Sequence, residues 1–249
     1  MTAKIVLIDI ETAPSLGWTW EKYDTNIIEF TQHWFMLSYA YKTLDDNTVH
    51  IQALPDYPGY TKDLTYDLLL VKSLWDVLDS ADIVIAHNGD AFDIKKSNAR
   101  FIAHGLPPPA PYKTVDTLKI ARKHFKFESN KLGDLGKMLE IGVKVPHTGF
   151  SLWKGCMAGD MDSWEKMKEY NVQDVLLLEE VYLKLRPWAA THPDVNLYGV
   201  SGGCPSCGGS KIQRRGFSYA KTQIRQRFHC QGCGHWYAGA LVKREKEKL

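Results

Sequence analysis

Four of the five cysteines of this 249-residue chain lie in its last 46 residues, as Cys204-Pro-Ser-Cys207 and Cys230-Gln-Gly-Cys233, with 22 residues between the pairs. A glycine follows each pair (Gly208 and Gly234), which permits a tight turn with backbone N–H groups facing sulfur. Four thiolates in two such turns enclose one tetrahedral Zn²⁺, and a shell closed by four sulfurs leaves no position open for chemistry. The zinc expected here is therefore structural. So short a stretch has little core, and metal binding is expected to supply much of its folding free energy. Met1 to Ile10 has one lysine and a brief apolar run interrupted by Asp9, unlike a secretory signal, so disulfides are not expected. His229 and His235 flank the pairs, but four cysteines suffice without them.

Charge changes at the same place. Val195 to Leu249 holds ten Lys/Arg against two Asp/Glu, and no acidic residue occurs from Val195 to Arg244. The net charge of the whole chain is only +2, so the preceding part carries surplus acid. Two domains with different tasks are expected: residues 1–190, a linker over 191–203 rich in Pro and Gly, and the cysteine unit over 204–249. An apolar fraction of 44% and a charged fraction of 24% exclude disordered and fibrous classes. Apolar runs such as Ile5–Ile8 and Ile83–Ala86 are too short to span a bilayer. The expectation is a cytoplasmic protein with no membrane partner.

Periodicity places the larger part in the α/β class. Lys4–Asp9 and Ala81–His87 read as buried strands, and Trp34–Leu44 with Thr48–Leu54 as a hairpin around Asp45-Asp46-Asn47. Helical spacing runs over Asp63–Leu78, Asp93–His104, Lys119–Phe125 and Lys131–Leu139. Lys113–Leu118 reads as a further strand. Asp162–Leu185 is the longest helix, with Asp162 or Ser163 as its cap and Pro187 past its end. A hairpin-bearing sheet interleaved with helices predicts a mixed sheet rather than a purely parallel one.

Carboxylates fall at the ends of these elements. Asp9 and Glu11 are two apart at the end of a strand, which puts both on one side of the backbone. Asp93 follows another strand through the turn His87 to Phe92, and Asp174 lies one helical turn after Tyr170. Hard oxygen ligands of this kind suit Mg²⁺ or Mn²⁺, and two such ions ~3.5–4 Å apart activate water and stabilise the leaving oxygen of a phosphodiester. The Tyr170 hydroxyl can orient the attacking water. Taken singly each piece is ordinary. Asp-x-Glu at a strand end is commonly a turn or cap, Asn88-Gly89 is a turn, and Asp116-Thr117 equally a helix cap.

In this order, however, the segments resemble the 3′→5′ exonucleases of the RNase H-like superfamily, the DEDD group. Asp9-Ile10-Glu11-Thr12 matches the first motif, Asn88 through Phe92-Asp93 the second, and Tyr170-Asn171-Val172-Gln173-Asp174 the third, in its tyrosine-bearing form. Thr114 to Leu118 and Lys131 to Leu135 resemble segments of the exonuclease domains of family B DNA polymerases. The resemblance covers about residues 3 to 187. It implies an RNase H-like mixed five-stranded sheet flanked by helices. It also implies that Asp9, Glu11, Asp93 and Asp174 hold two Mg²⁺ or Mn²⁺, with Tyr170 completing the catalytic set and Thr12 and Asn88 beside the 3′-terminal nucleotide. Pro14 to Phe30, with Trp18, Trp20 and Tyr23, departs from the family pattern; its aromatics either stack on single-stranded bases or cap the core.

The cysteine pairs resemble a zinc ribbon. Between them lie Lys211, Arg214, Arg215, Lys221, Arg225 and Arg227, interleaved with Phe217, Tyr219 and Phe228. Basic side chains track phosphates and aromatics stack on bases, so Arg214, Arg215, Lys221, Arg225 and Arg227 are expected to bind nucleic acid; an acidic protein, such as a replication or repair partner, is the other occupant considered. The whole reads as a metal-dependent 3′→5′ exonuclease acting on single-stranded DNA or 3′ ends. The alternatives are an RNase H-like endonuclease and a non-catalytic nucleic-acid-binding protein with a relict nuclease fold.

Overall fold

Val6, Ile8 and Ile10 alternate along the first apolar run and are all buried, and Leu7 is buried on the opposite side. A strand apolar on both faces belongs in the middle of a sheet, and that is where it lies. The computed structural model describes residues 3–23, 26–142, 149–199 and 202–242. It resolves into two compact units, one from Lys4 to Val181 and one built mainly from Tyr182 onward.

In the first unit β1 (Ile5–Thr12) is followed by a small exposed hairpin, β2 (Leu16–Trp18) and β3 (Glu29–Gln32), and by β4 (Met36–Thr43) and β5 (His50–Ala53). Then come α1 (Leu68–Asp79), β6 (Ile83–Ala86), α2 (Asp93–Ala103), β7 (Lys113–Asp116) and the short helices α3 (Thr117–His124), α4 (Leu132–Met138) and α5 (Phe150–Met157). The long helix α6 (Met161–Leu185) follows, and the division between the units falls within it. The strands form one five-stranded sheet in the order β5-β4-β1-β6-β7. β1 runs antiparallel to β4 and parallel to β6, so the sheet is mixed. Helices flank it, as the RNase H-like resemblance implies. The expected hairpin is β4–β5, its turn closed by Thr48 N donating to Asp46 Oδ1 (2.9 Å).

Local chemistry moved several boundaries. The helix expected from Asp63 begins only at Leu68, because Asp63 Oδ1 accepts from Thr65 N (2.8 Å) and Oγ1 (2.7 Å) and holds a turn instead. The strand at Lys113 stops at Asp116, whose Oδ1 accepts from Leu118 N (3.0 Å) and caps α3. α6 is capped by Asp160 rather than Asp162 or Ser163, with Ser163 N donating to Asp160 Oδ2 (3.2 Å). α5 was not anticipated. Trp18, Trp20 and Tyr23 are 65%, 83% and 86% exposed, so they do not cap the core.

The second unit is a three-stranded antiparallel sheet, β8 (Ile212–Tyr219), β9 (Ile224–Cys230) and β10 (Trp236–Leu241), in the order β10-β9-β8. Val195 N donates to Pro205 O (2.8 Å) and Asn196 Nδ2 to Gly203 O (3.1 Å), tying part of the expected linker to the cysteine turns. Residues 200 and 201 of that linker lie outside the described residues. Among the described residues no helix is long and apolar enough to cross a membrane.

Candidate active site

β1 sits between β4 and β6 and carries two of the expected ligands at its end. Asp9 lies opposite Ala40 and Glu11 opposite Ser38, so the pleat points both carboxylates to one face while Ile10 enters the core between them. The register slips between Glu11 and Thr12. α6 brings the third ligand. Its buried positions Trp164, Met167, Asn171, Asp174, Leu178 and Val181 recur every three or four residues, and Asn171 and Asp174 interrupt an otherwise apolar stripe. One carboxylate oxygen each from Asp9, Glu11 and Asp174 lies within 4.8 Å of the others.

Asp93 is not in that group but lines the same cavity of about 1120 Å³, together with Asn88 and Tyr170. It opens α2 and is 3% exposed, and its Oδ1 accepts from Ile10 N (3.1 Å), between the two β1 carboxylates. Burial pushes its carboxyl up to about 7, against the lowering effect of the Ile10 N–H. Asn88 reaches the cavity through a left-handed turn (φ 66°), held by Asn88 N donating to Asp116 Oδ1 (2.9 Å). Gly89 follows because a Cβ there would meet the Ala86 Cβ at 2.4 Å. The position of Asp116 is thereby explained: it fixes the Asn88 turn and caps α3.

Tyr170 is buried against Trp153 in an edge-to-face pair, with ring centroids 5.9 Å apart. Its hydroxyl is driven well above the ordinary tyrosine range by burial, then by the charges of Asp174, Glu11 and Asp9. A hydroxyl in this state can donate a hydrogen bond.

Four further contributors were not among the expected site residues. Asn171 Nδ2 donates to Asp9 Oδ2 (2.6 Å) and to Asp9 O (3.2 Å), while its own Oδ1 accepts from Ser38 Oγ (3.0 Å). Arg122 from α3 and Lys137 from α4 line the cavity, as does Lys131. Asn171 was legible as a polar residue on the apolar stripe of α6; the cations were not, since exposed lysines and arginines carry no periodic signal. Thr12 is not among the residues that line this cavity. It lines a separate hollow of about 410 Å³ with Trp34, Lys96, Phe150 and Trp153.

The donor set fits a hard divalent cation. Oxygens on opposite sides of an octahedral Mg²⁺ stand about 4.2 Å apart at a Mg–O distance of about 2.1 Å, close to the spread of the three carboxylates. Carboxylates so near one another, with Asp174 buried and Asp9 and Glu11 half-buried, repel unless a cation neutralises them.

In the second unit the four cysteine sulfurs also lie within 4.8 Å of one another, with Cys204 Sγ to Cys233 Sγ and Cys207 Sγ to Cys230 Sγ both at 3.7 Å. A ZnS₄ tetrahedron with Zn–S of about 2.3 Å has edges of about 3.8 Å, so these sulfurs fit zinc and are far too distant for disulfides. Gly209 N donates to Cys207 Sγ (3.4 Å). Of the expected basic residues, β9 carries Arg225 and Arg227, β8 carries Arg214 and Arg215, and Lys221 lies in the connecting turn.

Comparison with known proteins agrees with this geometry. Residues 119 in number are 29% identical to the PolC-type DNA polymerase III of Ureaplasma parvum serovar 3, spanning 48% of this chain and 8% of that protein. The fold is similar to that of the family B DNA polymerase of the archaeon Pyrobaculum calidifontis, with a TM-score of 0.52 and 13% identity over 88% of this chain and 31% of that one. The chain thus corresponds to a small part of each polymerase. A family model described as the RNase_H superfamily matches residues 23–186, a span that includes Asp93, Tyr170 and Asp174 and begins after Asp9 and Glu11. With a match over more than half its length, the chain belongs to the RNase H superfamily.

Proposed function

We propose that the chain is a metal-dependent 3′→5′ exonuclease that hydrolyses phosphodiester bonds at the 3′ end of nucleic acid, single-stranded DNA by preference. The observation that carries this reading is the convergence of Asp9, Glu11 and Asp174 on a cavity also lined by Asp93 and Tyr170. Asp9, Glu11, Asp93 and Asp174 would hold two Mg²⁺ or Mn²⁺, which supply the Lewis acidity that activates water and stabilises the leaving oxygen. Tyr170 would donate a hydrogen bond to the attacking water and orient it. Asn171 fixes Asp9, so that one ligand is set before the metal arrives. Asn88 is placed to meet the terminal nucleotide, and Arg122, Lys131 and Lys137 to meet phosphates entering the cavity. The relation to two DNA polymerases supports DNA over RNA.

The domains proposed are the nuclease over 1–190, a linker over 191–203 and a zinc ribbon over 204–249. The ribbon would hold one structural Zn²⁺ through Cys204, Cys207, Cys230 and Cys233, and would bind substrate through the cations of β9, Arg225 and Arg227.

An oligonucleotide labelled at either end, incubated with Mg²⁺, tests the reading. The 3′ label should be released first as mononucleotide, and Asp174→Asn should abolish the release. Internal fragments would mark an endonuclease, and no cutting with bound oligonucleotide a relict fold.

A further inference from the structure

The sequence interleaves cations with Phe217, Tyr219 and Phe228, but the sheet sorts them onto two different faces. Residues paired across antiparallel strands share a face. His229 pairs with Gln213 on one side and Trp236 on the other, and Arg227 pairs with Ala238. One face therefore carries Arg225, Arg227, His229 and Trp236. Phe228 pairs with Arg214 and Tyr237, and its ring stacks on Tyr237 at 5.3 Å on the other face.

The first of these faces is preorganised. The His229 and Trp236 rings stack at 4.3 Å with an interplanar angle of 18°, and the Arg227 guanidinium lies 5.2 Å from the Trp236 ring centre. The Arg227 Nε also donates to Arg215 O (2.9 Å), and Ala238 is its partner on β10. Arg225 is fixed in turn by Nη1 donating to Gly239 O (3.2 Å). Trp236 remains 45% exposed despite its two neighbours. A partly exposed indole beside a guanidinium, in a stretch with no carboxylate from residue 195 to 242, fits a base with its phosphates.

We infer that the Arg225–Arg227–His229–Trp236 face is a binding site for single-stranded nucleic acid, with Trp236 as the base-stacking platform and Arg227 and Arg225 as its phosphate contacts. The inference rests on the nucleic-acid reading above and deepens it. A duplex keeps its bases stacked on one another, so a site built on an open indole discriminates in favour of single strands. Arg214, on the opposite face, carries the same charge but is not part of the site.

The test uses the full chain bearing Asp174→Asn, so that substrate is not consumed, and anisotropy of a labelled oligothymidylate and of a duplex over a salt series. Trp236→Ala should weaken oligothymidylate binding roughly tenfold or more, with Trp236→Phe retaining most of the affinity. Arg227→Gln should weaken binding and flatten the salt slope by about 0.7, whereas Arg214→Gln should change affinity far less. Zinc content should be one per chain in every variant, which excludes loss of the fold as the cause. Equal losses for Arg214→Gln and Arg227→Gln, unchanged affinity of Trp236→Ala, or no binding of oligothymidylate by the parent would each overturn the inference; the last would point to a protein on this face. Cleavage of a dinucleotide by the chain with Asp174 restored separates the two readings. Its absence would defeat the nuclease assignment, while the anisotropy series decides the ribbon face by itself.

Discussion

Asn171 shows how much of a catalytic constellation is carried by residues that never touch the reacting atoms. It occupies a position that the helical repeat reserves for an apolar side chain, and it spends both ends of its amide, on Asp9 and on Ser38. Asn171→Ala should remove an amide donor from Asp9 and the amide acceptor from Ser38, lowering stability by about 1–3 kcal/mol. Loss of a group that orients a ligand typically weakens metal affinity about 10- to 100-fold, so the Mg²⁺ concentration for half-maximal activity should rise by that factor. A merely structural role would lower the melting temperature and leave the Mg²⁺ titration where it was. Tyr170 acts differently. Burial raises its hydroxyl well above the ordinary tyrosine range, so the role expected of it is hydrogen bonding rather than proton transfer. Tyr170→Phe should therefore reduce kcat by about a hundredfold and leave the shape of the pH–rate profile unchanged. A lost alkaline limb in that profile would assign Tyr170 a proton-transfer role and contradict the mechanism.

At the scale of elements, the site depends on where strands stop. β1, β6 and β7 each end beside the cavity, and each terminus is fixed by a polar contact: Ile10 N to Asp93, Asn88 N to Asp116, and Leu118 N to Asp116. Gly89 is the tightest point in this arrangement, since any side chain there collides with Ala86. Gly89→Ala should force the turn away from β6, cost about 1–3 kcal/mol, and lower activity by displacing Asn88 and Asp93 together. Normal stability and activity in that variant would show the turn to be slack. The boundaries that sequence periodicity misplaced have a common cause. Asp63, Asp116 and Asp160 each bond a backbone N–H two or three residues ahead, and such local bonds decide helix ends without altering the apolar repeat.

For the molecule as a whole, two compact units with different cohesion predict two responses to chelation. The unit from Lys4 to Val181 is held by an apolar core that includes Trp164, Leu70 and Ile8, whereas the ribbon buries little apart from its cysteines. A strong zinc chelator should remove one calorimetric transition and leave the other nearly unmoved. A single transition abolished by chelation would mean that the units unfold as one. The sequence by itself determined the class of the larger sheet and singled out Asp9, Glu11, Asp93, Asp174 and the cysteine tetrad as candidate ligands. Strand alternation, helical repeat and metal-ligand spacing are local patterns, written within a few residues of one another. Only the tertiary structure decided that Asp9, Glu11 and Asp174 meet, that Thr12 lines a second hollow, that Asn171 grips Asp9 across 162 positions, and that Trp236 rather than Phe228 stands beside Arg227. Those relations follow from sheet register and from helix packing, which join residues distant in the chain and leave no repeat along it.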